Sequence, residues 1–208
     1  MKRIIVFCLA VVPALLWAQE PGSFYVGYNY GVIEDVFYPD LDINPYSPDM
    51  ASDYEGSVEY RNASQYSLGY QASEKLVLGV NYMKGEIYGA NSIEFYDGVF
   101  TEYNAFAQYD VFEFNQAMVY ASGSYGQIDF SADRSLMFDD GVIPLNTYSD
   151  ESTKFSYGLG VRIPFGDNLQ ITLDYTFDEV KHDGFDGWDY GSGVDRYTFK
   201  SVGLRYYL

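Results

Sequence analysis

The sequence predicts an all-β fold: a closed, eight-stranded antiparallel β-barrel, an up-and-down meander that crosses a membrane with its strands. Three observations predict it. Apolar and polar residues alternate with period two from Phe24 to the end of the chain, the period of a strand whose successive side chains point to opposite faces. The connections between alternating segments are sorted by parity, short after every second segment and long after the others. Finally, the 208 residues include 23 Tyr, 15 Phe and 20 Gly. Aromatic residues favour pleated strands, and Tyr in particular suits a membrane–water interface.

Each strand can be read in turn. In the first, Phe24, Val26, Tyr28 and Tyr30 alternate with Tyr25, Gly27, Asn29 and Gly31. In the second, Tyr66, Leu68 and Tyr70 oppose Gln65, Ser67 and Gly69, and in the third Leu76, Leu78, Val80 and Tyr82 oppose Gly79 and Asn81. The fourth sets Tyr103, Ala105, Ala107 and Tyr109 against Glu102, Asn104, Phe106 and Gln108. The fifth, around Met118–Tyr125, is ambiguous because both of its faces are small or mixed. The sixth sets Phe155, Tyr157, Leu159, Val161 and Ile163 against Lys154, Ser156, Gly158, Gly160 and Arg162. In the seventh, Leu169, Ile171, Leu173, Tyr175 and Phe177 alternate with Gln170, Thr172, Asp174, Thr176 and Asp178. The last, Tyr197–Leu208, presents Val202, Leu204, Tyr206 and Leu208 on one side. An even number of strands brings both ends of a closed barrel to one side of the membrane. Several segments alternate over ten or more residues, enough for the roughly 9–11 that cross a bilayer when tilted and well above the mode of about 5–6 in soluble proteins.

Ser73-Glu74-Lys75, Val111–Asn115 and Pro164–Asn168 are the short links, and Val32–Ser57, Asp129–Ser152 and Glu179–Arg196 are long. Short turns on the periplasmic face and long loops on the other is the pattern of outer-membrane barrels. A soluble sandwich or a lipocalin-like barrel, the competing folds, has no reason to sort its loops in this way.

The N-terminus carries an export signal. Met1-Lys2-Arg3 precedes the apolar run IIVFCLAVVPALLWA, and the chain turns polar at Gln19. This reads as a signal peptide over residues 1–18, cleaved after Ala18 with Leu16 at the −3 position, leaving a single barrel domain over 19–208. The run is too short for a transmembrane helix, which needs about 20 apolar residues, so a retained anchor is the lesser alternative. Cys8, the only cysteine, lies within this leader behind Phe7 rather than a small residue, which argues against a lipoprotein. The mature chain thus has no thiol for disulfides, catalysis or metal binding. The formal charge is −18, with 30 acidic residues against 12 basic, and such a surface repels phosphate backbones, so nucleic acid is excluded as a partner.

The chain ends SVGLRYYL, and Ser201, Gly203, Tyr206 and Leu208 fit the polar–x–Gly–x–x–hydrophobic–x–hydrophobic ending that the barrel-assembly machinery recognises, with Leu208 where Phe is usual. With the Gly- and Tyr-rich strands and the leader, the whole mature chain resembles the small OmpA/OmpX-type eight-stranded outer-membrane barrels, a family that includes opacity-type adhesins. The resemblance implies a non-enzymatic barrel of the bacterial outer membrane, acting through surface loops in adhesion, interaction or envelope integrity. The partners it implies are outer-membrane lipid and lipopolysaccharide, the assembly machinery during insertion, and an extracellular ligand. No cofactor is implied, and the peptidoglycan-binding domain of some relatives is not expected.

Eight strands enclose an interior just wide enough for side chains to fill. The inward set includes Glu59, Arg61, Glu102, Lys154, Arg162, Asp174 and Arg205, long side chains of both signs. Charges in a narrow lumen are tolerated when paired, so these residues are expected to form a salt-bridged plug, with Arg61, Arg162 and Arg205 pairing with Glu59, Glu102 and Asp174. A narrow porin-like channel for small solutes is the competing reading. An outer-leaflet lipid-modifying enzyme is the third: His182 is the only histidine, next to Asp183 but far from any serine before Ser192, and a nucleophile needs its base within hydrogen-bond reach. The acidic, Pro-interrupted stretch Val32–Ser57 suggests a surface loop, and its aromatics Phe37, Tyr38, Tyr46 and Tyr54 are the expected contacts for a partner. Asp183, Asp186 and Asp189, spaced by three in a Gly-flexible loop, are the candidate ligands for a hard cation such as calcium. Their spacing departs from the alternate-position ligands of an EF-hand, and a solvated run of charge is the simpler account.

Overall fold

Eight antiparallel strands follow one another around a ring in chain order and the last closes on the first. The structure, a computed structural model, describes residues 21–35, 61–90, 94–114, 116–138, 141–181 and 194–208. The strands are β1 (Phe24–Asp35), β2 (Arg61–Gln71), β3 (Leu76–Ala90), β4 (Glu94–Phe114), β5 (Ala117–Phe138), β6 (Gly141–Pro164), β7 (Leu169–Val180) and β8 (Asp195–Tyr207). Closure is made by β1 and β8, in register from Tyr25 opposite Tyr207 to Asp35 opposite Tyr197. Closing the sheet leaves the membrane-level backbone without a free edge, the condition for strands to survive in lipid. The expected leader, residues 1–18, lies outside the described residues.

The short turns and both described chain ends share one end of the barrel, the periplasmic end in outer-membrane barrels. Between β2 and β3, Ser73 Oγ accepts from the Leu76 amide at 3.2 Å while Ala72 N–H donates to Leu76 O at 2.8 Å. Between β6 and β7, Gly166 adopts φ 85°, a left-handed conformation open to glycine at no steric cost. Where Val111–Asn115 reads as a link, β4 instead continues to Phe114 and β5 begins at Ala117, with Gln116 just before it at φ 71°. A bulge between Asp110 and Phe112 accounts for the misreading. It breaks the period-two pattern, so Val111, Phe112 and Phe114 are all exposed at the rim.

The larger correction concerns Asp129–Ser152. It is no loop: β5 runs on to Phe138 and β6 begins at Gly141, so most of the segment forms a tall hairpin. β4, β5 and β6 are 21, 22 and 24 residues long, against 11 to 13 for β1, β2, β7 and β8. Alternation persists along this extension but with its phase reversed. In the lower part of β5, Tyr125 faces out while Ser122 and Ser124 line the lumen. Above it, Gln127 and Asp133 face out, and Ile128 and Phe130 are buried. β3, β6 and β8 change in the same way: Lys84, Thr153 and Lys200 are exposed on the outer face, above Tyr82, Phe155 and Val202. The lower wall faces lipid and is apolar outside; the upper wall faces water and is apolar inside.

An aromatic girdle marks the boundary. Tyr28, Tyr66, Tyr82 and Tyr103 lie opposite one another on β1 to β4, with successive ring centroids 5.1, 6.3 and 5.3 Å apart. Tyr157, Phe177 and Tyr175 continue it on β6 and β7.

Candidate functional site

The pleat sends every second side chain into the lumen, and glycines make room for the largest of them. A Cβ at Gly69 would run into the Tyr25 ring, and one at Gly160 into Tyr120. Glycine in a strand often marks such a close approach, so the Gly-rich inner face and the buried tyrosines are one feature. The lumen then fills in three levels.

At the periplasmic level, Arg162 of β6 forms a buried ion pair with Asp110 of β4, reaching across β5. The Arg162 guanidinium also lies 5.2 Å from the centre of the Tyr120 ring. Arg205 of β8 is held between two rings, 4.9 Å from Tyr25 and 5.3 Å from Tyr120, and its Nη2 donates to the Tyr120 hydroxyl at 3.2 Å. That hydroxyl in turn donates to Asp174 Oδ1. Asn29 Nδ2 donates to Asp174 Oδ2 at 2.9 Å. Tyr120 therefore links Arg205 to Asp174, with cation–π contacts worth roughly 0.5–2 kcal/mol each. Tyr25 packs on Tyr207 at 5.4 Å, with Val77 and Phe106 beside it.

Above this floor lies a chamber of about 60 Å³, lined mainly by amides and hydroxyls including Gln65, Ser67, Asn81, Ser122 and Thr176. This is room for a few waters by the usual measure of one probe sphere each. Tyr25 Oη, Asn104 Oδ1, Gln108 Oε1 and Arg205 Nη1 belong to its lining and have no protein hydrogen-bond partner. Buried polar atoms of this kind are satisfied by water.

At the upper level, Lys154 Nζ sits between two carboxylates, paired with Glu102 and 2.6 Å from Asp178 Oδ1. It donates to the Tyr197 hydroxyl at 2.9 Å, and that hydroxyl donates to Glu102 Oε1. Asn104 Nδ2 donates to Glu102 Oε2 at 3.2 Å, and Thr176 Oγ1 to Asp178 Oδ2 at 2.8 Å. Ser156 Oγ also donates to Asp178. Over this network closes an apolar cluster of Ile33, Ala63, Met83, Phe100, Ile128, Phe130, Val180 and Phe199, with the Tyr197 ring among them.

The expected pairings are redrawn by register. Glu102 lies opposite Ile128, while Arg162 lies opposite Met118, ten residues lower on β5. At about 3.4 Å per residue the two cannot meet. Lys154, opposite Gly126, takes Glu102 instead. Arg162 takes Asp110, and Asp174 reaches Arg205 only through Tyr120. Arg61 opens β2 opposite Ile33; Glu59 lies outside the described residues, as do Phe37, Tyr38, Tyr46, Tyr54, His182, Asp183, Asp186 and Asp189. Asp110 continues the inward parity of Glu102, Asn104 and Gln108, so its position was visible in the sequence. Asp178 was visible on the polar face of β7. Nothing in the sequence marked Tyr120 or Tyr197 as a hydrogen-bonding link. At the C-terminus, Ser201 and Gly203 face the lumen beside Asn29, Tyr206 is exposed on the outer face, and the Leu208 amide donates to Phe24 O at 2.9 Å. Among the described residues no cluster of three or more His, Cys, Asp or Glu could hold a metal.

A family model described as the outer membrane protein beta-barrel domain matches residues 4–206. The crystal structure of Neisserial surface protein A is similar, with 16% identity and a TM-score of 0.53 over 88% of this chain and 96% of that one. The Yersinia pestis attachment invasion locus protein Ail (14% identity, TM-score 0.45, 90% of this chain and 97% of that one) is a weaker likeness. So is OprG from Pseudomonas aeruginosa (8%, 0.48, 92% and 98%). At these identities the likeness concerns the fold alone. No curated protein matches the chain by sequence.

Proposed function

The chain belongs to the outer membrane protein beta-barrel family, a protein of the bacterial outer membrane, and on that premise we propose that it is a non-enzymatic barrel with a plugged lumen. It acts through its extracellular surface, in adhesion and interaction or in envelope integrity. The observation that carries this reading is the double closure of the lumen, by Arg162–Asp110 and the Tyr120 link below and by Glu102–Lys154–Asp178 under the apolar cluster above. A barrel filled in this way has its outer surface left to work with. In this reading residues 1–18 direct export, Ser201, Gly203, Tyr206 and Leu208 present the ending to the assembly machinery, and lipopolysaccharide surrounds the finished wall. Phe37, Tyr38, Tyr46 and Tyr54, with the β5–β6 hairpin, then supply contacts for an extracellular ligand.

The polar chamber between the two closures favours a second reading, a narrow channel for small solutes. Planar-bilayer recording separates them. The plugged barrel gives no steady conductance; steady small-ion currents from the wild-type protein would replace the plug with a channel. Deleting residues 37–54, or shortening the β5–β6 hairpin, is expected to lower binding to cell or envelope surfaces. Undiminished binding by both deletions would remove the surface role.

A further inference from the structure

We propose that the lumen chamber binds a small monovalent anion, such as a halide or formate, between the Arg205 guanidinium and the Tyr25 hydroxyl. The site is built from the chamber's own walls and depends neither on the surface role nor on whether the barrel conducts.

The observation is a buried cation without a counter-charge of its own. Lys154 lies between Glu102 and Asp178, and Arg162 pairs with Asp110. Arg205, 3% exposed, instead meets two tyrosine rings and the Tyr120 hydroxyl. None of the described carboxylates pairs with it directly. Asp174 faces it across the Tyr120 hydroxyl and has both oxygens taken, Oδ1 by Tyr120 and Oδ2 by Asn29. Arg205 lines the chamber, and its Nη1 has no hydrogen-bond partner. A guanidinium taken out of water without an adjacent counter-ion is costly, and an unmade bond on a charged donor costs more than one on a neutral group.

The walls supply the rest of the site. Tyr25 is fully buried, its Oη is likewise unpartnered, and its ring centre lies 4.9 Å from the Arg205 guanidinium. Gly27 brings these groups together with a third. A Cβ there would lie 3.5 Å from the Tyr25 ring, 3.6 Å from Arg205 Cγ and 2.3 Å from Ser67 Oγ. A hydroxyl donates or accepts as its partner requires, so Arg205, Tyr25 and Ser67 offer donors to one part of the chamber. Hydrogen bonds to an ionised partner are about twice as strong as neutral ones. The volume of about 60 Å³ limits the guest to a small ion with a few waters. Asp174 and Asp178, also in the lining, repel a second negative charge, so the site selects a monovalent anion over a divalent one.

The test is equilibrium urea unfolding of the full barrel in neutral-lipid vesicles, with chloride or formate replacing gluconate at equal ionic strength. Gluconate has the same charge and is too large for the chamber. A ligand that binds only the folded state raises the unfolding midpoint, so the wild-type midpoint should rise as chloride or formate replaces gluconate. Unfolding opens the lumen, so the reading needs no route through the closures. Arg205→Gln should lose the rise. Tyr25→Phe, which keeps the ring, should need about ten-fold more anion before the rise sets in. Arg196→Gln, on the outer wall, should behave as wild type. Each comparison is made within one variant, so a lower overall stability does not affect it. Crystals of the wild type grown in bromide give a second reading that survives a failure of Arg205→Gln to fold: an anomalous peak beside Arg205 Nη1. Equal midpoints in all three salts, an unchanged response in Tyr25→Phe, a lost response in Arg196→Gln, or water alone beside Arg205 would each overturn the proposal. Conductance and surface binding are separate measurements, so failure here leaves the proposed function standing.

Discussion

The lower and upper halves of this barrel are built from the same strands, with the same pleat and hydrogen bonding, yet their cores are inverted. Below the aromatic girdle, the side chains that would form the core of a soluble protein, such as Leu159, Val202 and Leu204, are on the outside. The inside holds Arg162, Asp110 and Arg205. Above it, Ile128, Phe130, Phe100 and Phe199 are inside, and Lys84, Glu151 and Arg196 outside. The backbone cannot tell the halves apart; the solvent can. A shift of hydrophobicity by one residue, without any change of period, is what crossing from lipid to water looks like along a strand.

Breaking each half should therefore need a different kind of substitution. The largest effect is expected from Arg162→Ala, which strands Asp110 in the lower lumen and should cost about 3–5 kcal/mol where the pair is fully buried. Urea unfolding in lipid vesicles reads this as a lowered midpoint, and an unchanged midpoint would show that the pair carries no stability. In the upper half the equivalent break is apolar. Ile128→Ala, which truncates a fully buried side chain, should cost about 2–5 kcal/mol by the same measurement. Next, Leu159→Lys and Thr153→Lys compare one outer face of β6 at two heights. The first puts a charge into lipid and should cost up to about 2–4 kcal/mol, while the second stays within about 0.5 kcal/mol, as exposed substitutions do. Equal costs would mean that the membrane boundary is misplaced. Smaller than the effect of Leu159→Lys is that of Tyr206→Asp, a lipid-facing change near the periplasmic interface worth up to about 1 kcal/mol. It should reduce outer-membrane assembly relative to Tyr206→Phe, read by the heat-modifiable folded fraction.

The same inversion decided what could be read from the sequence. Strands were legible where the outer face meets lipid, because Leu169 to Phe177 or Phe155 to Ile163 pair an apolar face with a polar one over a long run. They were illegible above the girdle, where Ile128 and Phe130 stand among Asp129, Ser131, Asp133 and Asp150. There a soluble-type alternation in acidic company passes for a loop. The fifth strand was ambiguous for a related reason: its outer face carries Ala121 and Gly123 while the bulky Tyr120 turns inward. In the lumen, parity identified which residues face inward, but partner choice depends on stagger between strands, which no single strand encodes. Glu102 and Lys154 meet only because β4, β5 and β6 are offset as they are. A tyrosine's role as a link between charges likewise depends on which side chains surround its hydroxyl, as at Tyr120 and Tyr197.

The β5–β6 hairpin also sets a distance. From Gln127 to Phe138 the strand runs twelve residues beyond the last lipid-facing ring, Tyr125, or about 40 Å along its length at some 3.3 Å per residue. A tilt of about 40° reduces the height to roughly 30 Å. Because Ile128 and Phe130 anchor its base in a packed core, this hairpin rises from a braced foot rather than a hinge. The strand end at Phe138 is thereby held at a fixed stand-off from the bilayer, well clear of the part that had to be inserted.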